Sequence, residues 1–310
     1  MTQILDNILK CPICKNGLLF SNKLMVECNN PNCNATFDII NKKPILVNYN
    51  KSIIKEDLII NNFHNNIISR NKYIIINFLK KILFGNGKTT MNNIKYLLSL
   101  FDNNEKIKIL IIGGGTIGAG MDYIYYKFQS NIIAFDIYDS PNISFIGDAH
   151  DIPIIDDYFD LIIVQAVLEH VIYPSEVVNE CYRVLKEGGL IYGETPFMQQ
   201  VHEGAYDFTR YTDSGHRSLF RKFKHLKSGS IGGVGTTLLW SIGYFFSGLF
   251  RSRKIGLLFR IFFFWLRYFD LITPEIYNID GASGVFFLGK KDSSFVLNDD
   301  DLIKYYKGAQ

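Results

Sequence analysis

A glycine-rich loop at the end of an apolar run restricts the fold of this 310-residue chain more than any other feature. Residues 108–112 read KILII, and Gly113-Gly114-Gly115-Thr116-Ile117-Gly118 follows at once. Such a junction is a strand turning sharply into the next element. Gly113 and Gly115 free the backbone for the turn and let a ligand approach it, while Gly118 permits tight packing behind. Further apolar runs recur at 131–138 (NIIAFDIY), 160–167 (DLIIVQAV), 189–195 (GLIYGET) and 284–291 (GVFFLGKK), with a helical pattern over 177–188. Strands alternating with helices predict an α/β fold, a doubly wound and mostly parallel sheet. Ligands of such sheets bind beyond the carboxyl ends of the strands.

Asp136 closes the second strand about 20 residues after the loop, where a carboxylate accepts hydrogen bonds from ribose hydroxyls. On these residues alone NAD(P) fits equally well, so a nucleotide-dependent oxidoreductase stays open. Gly147-Asp148-Ala149 follows the third strand, where a carboxylate can meet the exocyclic amine of an adenine. Residues 157–171 (DYFDLIIVQAVLEHV) and 182–190 (YRVLKEGGL) then carry a resemblance. They resemble the fourth strand with its following helix, and the helix and turn before the fifth strand, of class I S-adenosylmethionine-dependent methyltransferases. The resemblance covers residues 106–225. It implies S-adenosylmethionine as cofactor, held by the loop of Gly113, Gly115 and Gly118 at its methionine part. It further implies Asp136 on the ribose, Asp148 and the Ala149 backbone on the adenine, and Gln165 on the floor. Ile111 stands where the family often has an acidic residue, which implies other partners for the cofactor's amino group. A non-catalytic binding module on a degenerate methyltransferase scaffold also stays open.

After the fifth strand, residues 194–211 (ETPFMQQVHEGAYDFTRY) are too rich in ionisable and aromatic groups for a simple connector. They resemble the substrate loop of bacterial methyltransferases associated with glycan and lipid assembly, which implies a small-molecule, glycan or lipid-linked acceptor. An imidazole titrates near neutrality, so His202 is the candidate base, with Tyr206, Asp207 and Arg210 orienting the acceptor. Glu169 and His170 read as helix residues at the exit of the fourth strand, serving either the site or packing.

Four of the five cysteines lie in Cys11-Pro12-Ile13-Cys14 and Cys28-Asn29-Asn30-Pro31-Asn32-Cys33. Two short-spaced pairs joined by residues 15–27 predict a structural zinc ribbon, with four thiolates at about 2.3 Å and no position left for substrate. The CPIC start and NKKPILV end also resemble small zinc ribbons found with methyltransferases, although the second pair is usually spaced by two residues rather than four. Cys181, in a helical pattern, reads as a core residue. Gly85-Asn86-Gly87-Lys88-Thr89 imitates the end of a phosphate-binding loop, but Ile82 stands where that motif needs its first glycine.

These signals divide the chain into a zinc ribbon (1–48), N-terminal helices (49–104), the methyltransferase core (105–230), a hydrophobic helical insertion (231–273) and the last strand with its tail (274–310). The insertion carries much of the aromatic excess, from Trp240 to Phe269. Residues 231–250 hold no charge, Arg251, Arg253 and Lys254 follow, and the next apolar leg contains Arg260, Arg267 and Asp270. Seven residues apart, Arg260 and Arg267 share one face of a continuous helix, which suits a peripheral membrane contact better than a span. A pair of helices covering the sheet or forming a dimer contact is the competing reading. A net charge of +3 gives a nucleic-acid partner little support. The opening MTQILDNILKCP lacks secretory-signal features, so the expected location is cytoplasmic, at most at the inner membrane face.

Overall fold

The computed structural model describes residues 5–20, 24–53, 55–56, 87–101 and 106–310; the helix expected over 73–84 lies outside them. The cysteine segment forms β1 (Leu18–Leu19), β2 (Met25–Cys28), β3 (Thr36–Ile40) and β4 (Lys43–Leu46), paired antiparallel in that order. The core adds β5 (Ile109–Ile112), β6 (Ile132–Asp136), β7 (Phe145–Gly147), β8 (Phe159–Gln165), β9 (Leu185–Pro196), β10 (Phe223–Gly232) and β11 (Gly284–Lys291). Spatial order in the core is β7-β6-β5-β8-β9-β11-β10. All neighbours up to β9 are parallel, and β11 runs antiparallel to both β9 and β10. The doubly wound, mostly parallel sheet expected from the sequence is the fold observed.

One further pairing was not legible in the sequence. β4 lies parallel to β7, with Ile45 opposite Ile146 and Leu46 opposite Gly147, so the cysteine segment extends the core sheet at its edge.

The central strands are apolar along their whole length because helices cover both faces. Ile109 and Ile111 of β5, with Ile163 and Leu161 of β8, pack on α1 (Lys88–Ser99) and α2 (Asp122–Phe128). Leu110, Ile112, Ile162 and Val164 point the other way, in one cluster with Val177 and Cys181 of α3 (Pro174–Val184) and Phe220 just beyond α4 (Asp213–Leu219). This two-residue alternation assigns every side chain of β5 to one layer or the other. Cys181 is fully buried there, and burial pushes its thiol well up.

The segment after β8 corrects one expectation. Residues 166–173 are a turn rather than the start of the helix. Ala166 sits at φ 52°, the His170 N–H donates to the Val167 carbonyl at 2.8 Å, and Pro174 at the first helical position sets where α3 begins. Glu169 and His170 are therefore turn residues.

Between β10 and β11 the chain builds α5 (Val234–Leu249), α6 (Arg253–Phe262), a 3₁₀ stretch (Phe264–Leu271) and α7 (Glu275–Asp280); α8 (Asp299–Ile303) follows β11. The exposed N-terminal amides of α5 are capped from the far end of the insertion: Asp270 accepts from the N–H of Gly235 at 2.7 Å and Thr236 at 3.2 Å. α5 and α6 touch closely, because a Cβ at Gly256 would stand 2.3 Å from the Gly243 carbonyl oxygen. Phe246 and Phe259 stack across the same contact. The α-helix stops at Phe262, so Arg260 and Arg267 do not share one continuous helical face as expected. Arg260 instead lays its stem against Gly243 and its guanidinium 5.8 Å from the Trp240 ring. Among the described residues no helix is long and apolar enough to cross a membrane.

Candidate active site

The glycine loop leaves the carboxyl end of β5 and lies against the carboxyl ends of its neighbours. Gly113 takes φ 72°, and a Cβ there would meet Val167 at 2.3 Å; one on Gly115 would stand 2.6 Å from Asp136 Oδ2. Only glycine fits this cradle. The Gly115 N–H donates to Asp136 Oδ2 at 2.8 Å, and the Ile137 N–H to Oδ1 at 2.7 Å. Burial pushes the Asp136 carboxyl up to about 6 despite these bonds. Each carboxylate oxygen retains accepting capacity, so the fit to a diol such as a ribose edge is sound. Ser140 fastens the other side of the loop by donating to the Gly115 carbonyl.

Gln165 ends β8 beneath Gly118, its amide donating to the Ala119 carbonyl at 3.1 Å and to Glu194 Oε2 at 2.7 Å. Glu194 is buried and accepts also from Thr90 and Tyr192, and burial raises its carboxyl. Thr90, Tyr192 and Glu194 thus join helix α1 to the floor. No motif announced that network, because Thr90 is over a hundred residues from Glu194 in sequence. Gly113, Gly115, Gly118, Asp136 and Gln165 are brought into one crevice. Asp148 and buried Ala149 follow the adjacent strand β7, but the Asp148 carboxylate is engaged by Ser52 and by both the backbone and ring nitrogens of His150.

Opposite, residues 197–211 fold onto the turn after β8, with the Phe208 N–H donating to the Glu169 carbonyl at 2.8 Å. Arg210 spends its donors on the loop itself: Asp207, the Gln199 carbonyl at 2.9 Å and the Thr209 carbonyl at 2.7 Å. The Arg210 guanidinium holds Asp207 far below the usual carboxylate range. Asp207 also accepts from the His202 N–H at 2.9 Å. Asp207 and Arg210 therefore set the shape of the loop. Tyr206 is half exposed, and its carbonyl oxygen lies 2.7 Å from His170 Nδ1. His202 and His170 meet with Nε2 atoms 3.1 Å apart, and Glu169 lies beneath them almost wholly buried. Burial pushes the Glu169 carboxyl up to about 8. That meeting joins residues 32 apart across two loops, and no spacing rule reports it.

The ribbon brings Cys11, Cys14, Cys28 and Cys33 together, with all four sulfurs within 4.8 Å of one another. Cys11 and Cys33 sulfurs are 3.9 Å apart, Cys14 and Cys28 sulfurs 3.3 Å. A zinc ion with thiolates at about 2.3 Å implies sulfur separations near 3.8 Å, so the donor set fits. The Asn30 N–H and the Asn16 side-chain amide point at Cys28 and Cys14 at 3.4 and 3.5 Å.

Residues 113–193 match the family described as methyltransferase domain. Curated relatives include the ubiquinone/menaquinone biosynthesis C-methyltransferase UbiE of Neisseria gonorrhoeae, 41% identical over 64 residues, which is 20% of this chain and 26% of that protein. The match thus spans about a quarter of the relative's length. Among solved structures, phosphoethanolamine N-methyltransferase 2 of Haemonchus contortus with S-adenosyl-L-methionine is 15% identical, covering 81% of this chain and 62% of that one, TM-score 0.44. A coclaurine N-methyltransferase bound to N-methylheliamine and S-adenosylhomocysteine is 13% identical, covering 66% and 70%, TM-score 0.41. The segment similar to that methyltransferase domain contains the glycine loop, Asp136 and the turn after β8.

Proposed function

We propose that the chain transfers a methyl group from S-adenosylmethionine to a small-molecule, glycan or lipid-linked acceptor, with a structural zinc in the cysteine ribbon. The observation that carries this reading is the Gly115 amide on Asp136 at the carboxyl ends of β5 and β6, inside the segment matched to the methyltransferase family. S-adenosylmethionine, when bound, supplies an electrophilic methyl on its sulfonium. Gly113 and Gly115 would receive its methionine part, Asp136 its ribose, and the turn after Gly147 its adenine side. Residues 197–211 close the opposite wall and orient the acceptor, and such positioning contributes about 7–11 kcal/mol to barrier lowering. The insertion touches this wall directly, with Gln200 donating to Ser241 at 3.0 Å and Tyr244 to the Val201 carbonyl at 2.5 Å. An acceptor anchored in a bilayer would reach the crevice past those residues, which supports a peripheral membrane location for the insertion.

Calorimetry tests the cofactor. Asp136→Ala removes two charge-assisted hydrogen bonds to a diol, each worth about 1.5–3 kcal/mol, and is expected to weaken S-adenosylhomocysteine binding tenfold or more. Unchanged binding removes Asp136 from the site. Tighter binding of NAD than of S-adenosylhomocysteine by the native chain replaces the methyltransferase reading with that of an oxidoreductase.

A further inference from the structure

We infer that Glu169, His170 and His202 form a second metal site, one that takes a divalent first-row ion and keeps positions open toward the crevice. The hydrogen-bond partner of one imidazole dictates where its lone pair points. His170 Nδ1 lies 2.7 Å from the Tyr206 carbonyl oxygen, which can only accept, so Nδ1 carries the proton and Nε2 the lone pair. His202 Nδ1 stands 3.3 Å from Asp207 Oδ2 and 3.4 Å from the Gln199 side-chain amide nitrogen, so both ring tautomers of His202 find a partner there. The two Nε2 atoms stand 3.1 Å apart. Glu169 Oε1 adds a third, at 3.6 Å from His170 Nε2 and 3.9 Å from His202 Nε2. Three atoms able to ligate a metal thus converge, all within 4.8 Å of one another.

Ligand atoms at about 2.1 Å from an ion are separated by roughly 3.0 Å in octahedral and 3.5 Å in tetrahedral geometry, close to the three distances here. Two imidazoles and one carboxylate are a donor set for iron, manganese, cobalt or zinc rather than for calcium or magnesium. Behind each imidazole stands the outer partner that orients a metal-bound histidine, a carbonyl for one and a carboxylate for the other. An independent observation points the same way. Glu169 is 1% exposed, and its Oε2 has no hydrogen-bond partner, so its carboxylate has been taken out of water without full compensation. An ion at Oε1 supplies that compensation. His170 and His202 keep 20% and 29% of their side chains exposed, which leaves room for a further ligand from solvent.

The use of the site rests on the function proposed above. Gln165 and Val167, on the same strand exit, touch the glycine loop, so the ion would sit on the rim of the cofactor crevice. An acceptor hydroxyl bound to it would lose its proton to water more readily than when free. His202 would then hold the ion instead of acting as a free base, and the acceptor class narrows to molecules offering an oxygen ligand.

The test loads the full-length, metal-stripped chain with Co²⁺, whose spectrum separates thiolate ligation from nitrogen and oxygen ligation. Two Co²⁺ per chain are expected, and only one carries the thiolate charge-transfer band. His170→Gln and, separately, Glu169→Gln should lose the second ion or bind it at least tenfold more weakly. Retention of the thiolate band shows that these variants are folded. Absence of a Co²⁺ without thiolate character, or a second ion held equally in both variants, overturns the site. Binding of S-adenosylhomocysteine is read separately: a chain that takes the second Co²⁺ and not the cofactor product keeps this site and loses the proposed reaction.

Discussion

The core sheet carries an addition at each side, and the two are built on opposite principles. The ribbon is small, and it sinks its apolar side chains into the sheet. Leu9, Cys11, Val26, Phe37 and Leu46 belong to the same buried cluster as the central strands. The insertion is rich in apolar residues and buries few. Across α5, α6 and the 3₁₀ stretch only Gly235, Leu239, Gly243, Gly256 and Leu266 are buried, while Phe245, Leu258, Phe262 and Leu271 are each more than half exposed. A small element needs cross-linking because its core is too thin to repay chain entropy. An element that leaves large side chains in water holds its shape by caps and close helix contact, and keeps its surface for something else.

Zinc should separate the two additions most sharply. Structural zinc in such sites binds with about 10–16 kcal/mol of apparent free energy, which becomes folding free energy of the ribbon. The native protein should contain thiolate-bound zinc in stoichiometric amount. Cys28→Ser should lose it, together with hydrogen-exchange protection over 36–46 and of the β7 amides that pair with β4. Protection in α5 and α6 should not change. Elemental analysis showing no thiolate-bound zinc in the native chain sinks the ribbon assignment.

The same contrast explains what the sequence disclosed. Cysteine spacing, the loop 113–118 and Asp136 are local patterns, each readable because neighbours in sequence remain neighbours in space. The parallel pairing of β4 with β7 joins residues about a hundred positions apart and leaves no periodic mark. The metal-competent cluster was hidden for the same reason, and its two halves were read differently: His202 as a base, Glu169 and His170 as helix residues. What misled there was the backbone. Ala166 in the left-handed region opens a turn that runs to Tyr173 where a helix was expected, and apolar periodicity does not report a positive φ. In the insertion, heptad spacing of Arg260 and Arg267 presupposed an unbroken helix, whereas the chain folds back so that Asp270 can cap α5.

A core site away from both additions provides a control with an intermediate effect. His216 on α4 is fully buried between Phe220 and Phe287, and neither ring nitrogen has a hydrogen-bond partner. Burial lowers its pKa from the ordinary 6.5 to about 3. The unfolded chain therefore binds this proton between pH 6.5 and 3 while the folded chain refuses it. Stability is fully present above 6.5 and is lost progressively as pH falls toward 3. At pH 5 the loss is about 2 kcal/mol. In His216→Leu the drop in unfolding free energy from pH 7 to pH 5 should be smaller by that amount, whatever the offset at pH 7. An unaltered pH slope shows that the imidazole is protonated without cost where it sits.

Changing the exposed face of the insertion should affect folding least and location most. Phe245 and Phe262 are 63% and 70% exposed, so replacing both by serine removes little buried surface and should shift stability by less than about 0.5 kcal/mol. If the face meets a bilayer, the same change removes two aromatic anchors at the headgroup boundary, and the cluster Arg251, Arg253 and Lys254 loses its apolar partner there. The native chain should sediment with vesicles containing anionic lipid, and the double variant should require at least tenfold more lipid for half-binding. Raising salt should weaken the native binding as well, because the basic cluster acts within a Debye length of the surface. A dimer interface predicts the reverse pattern: no vesicle binding in either form, and a change of sedimentation velocity with protein concentration that the double variant abolishes. The insertion is then a subunit contact, and its exposed aromatics are covered by a second chain rather than by lipid.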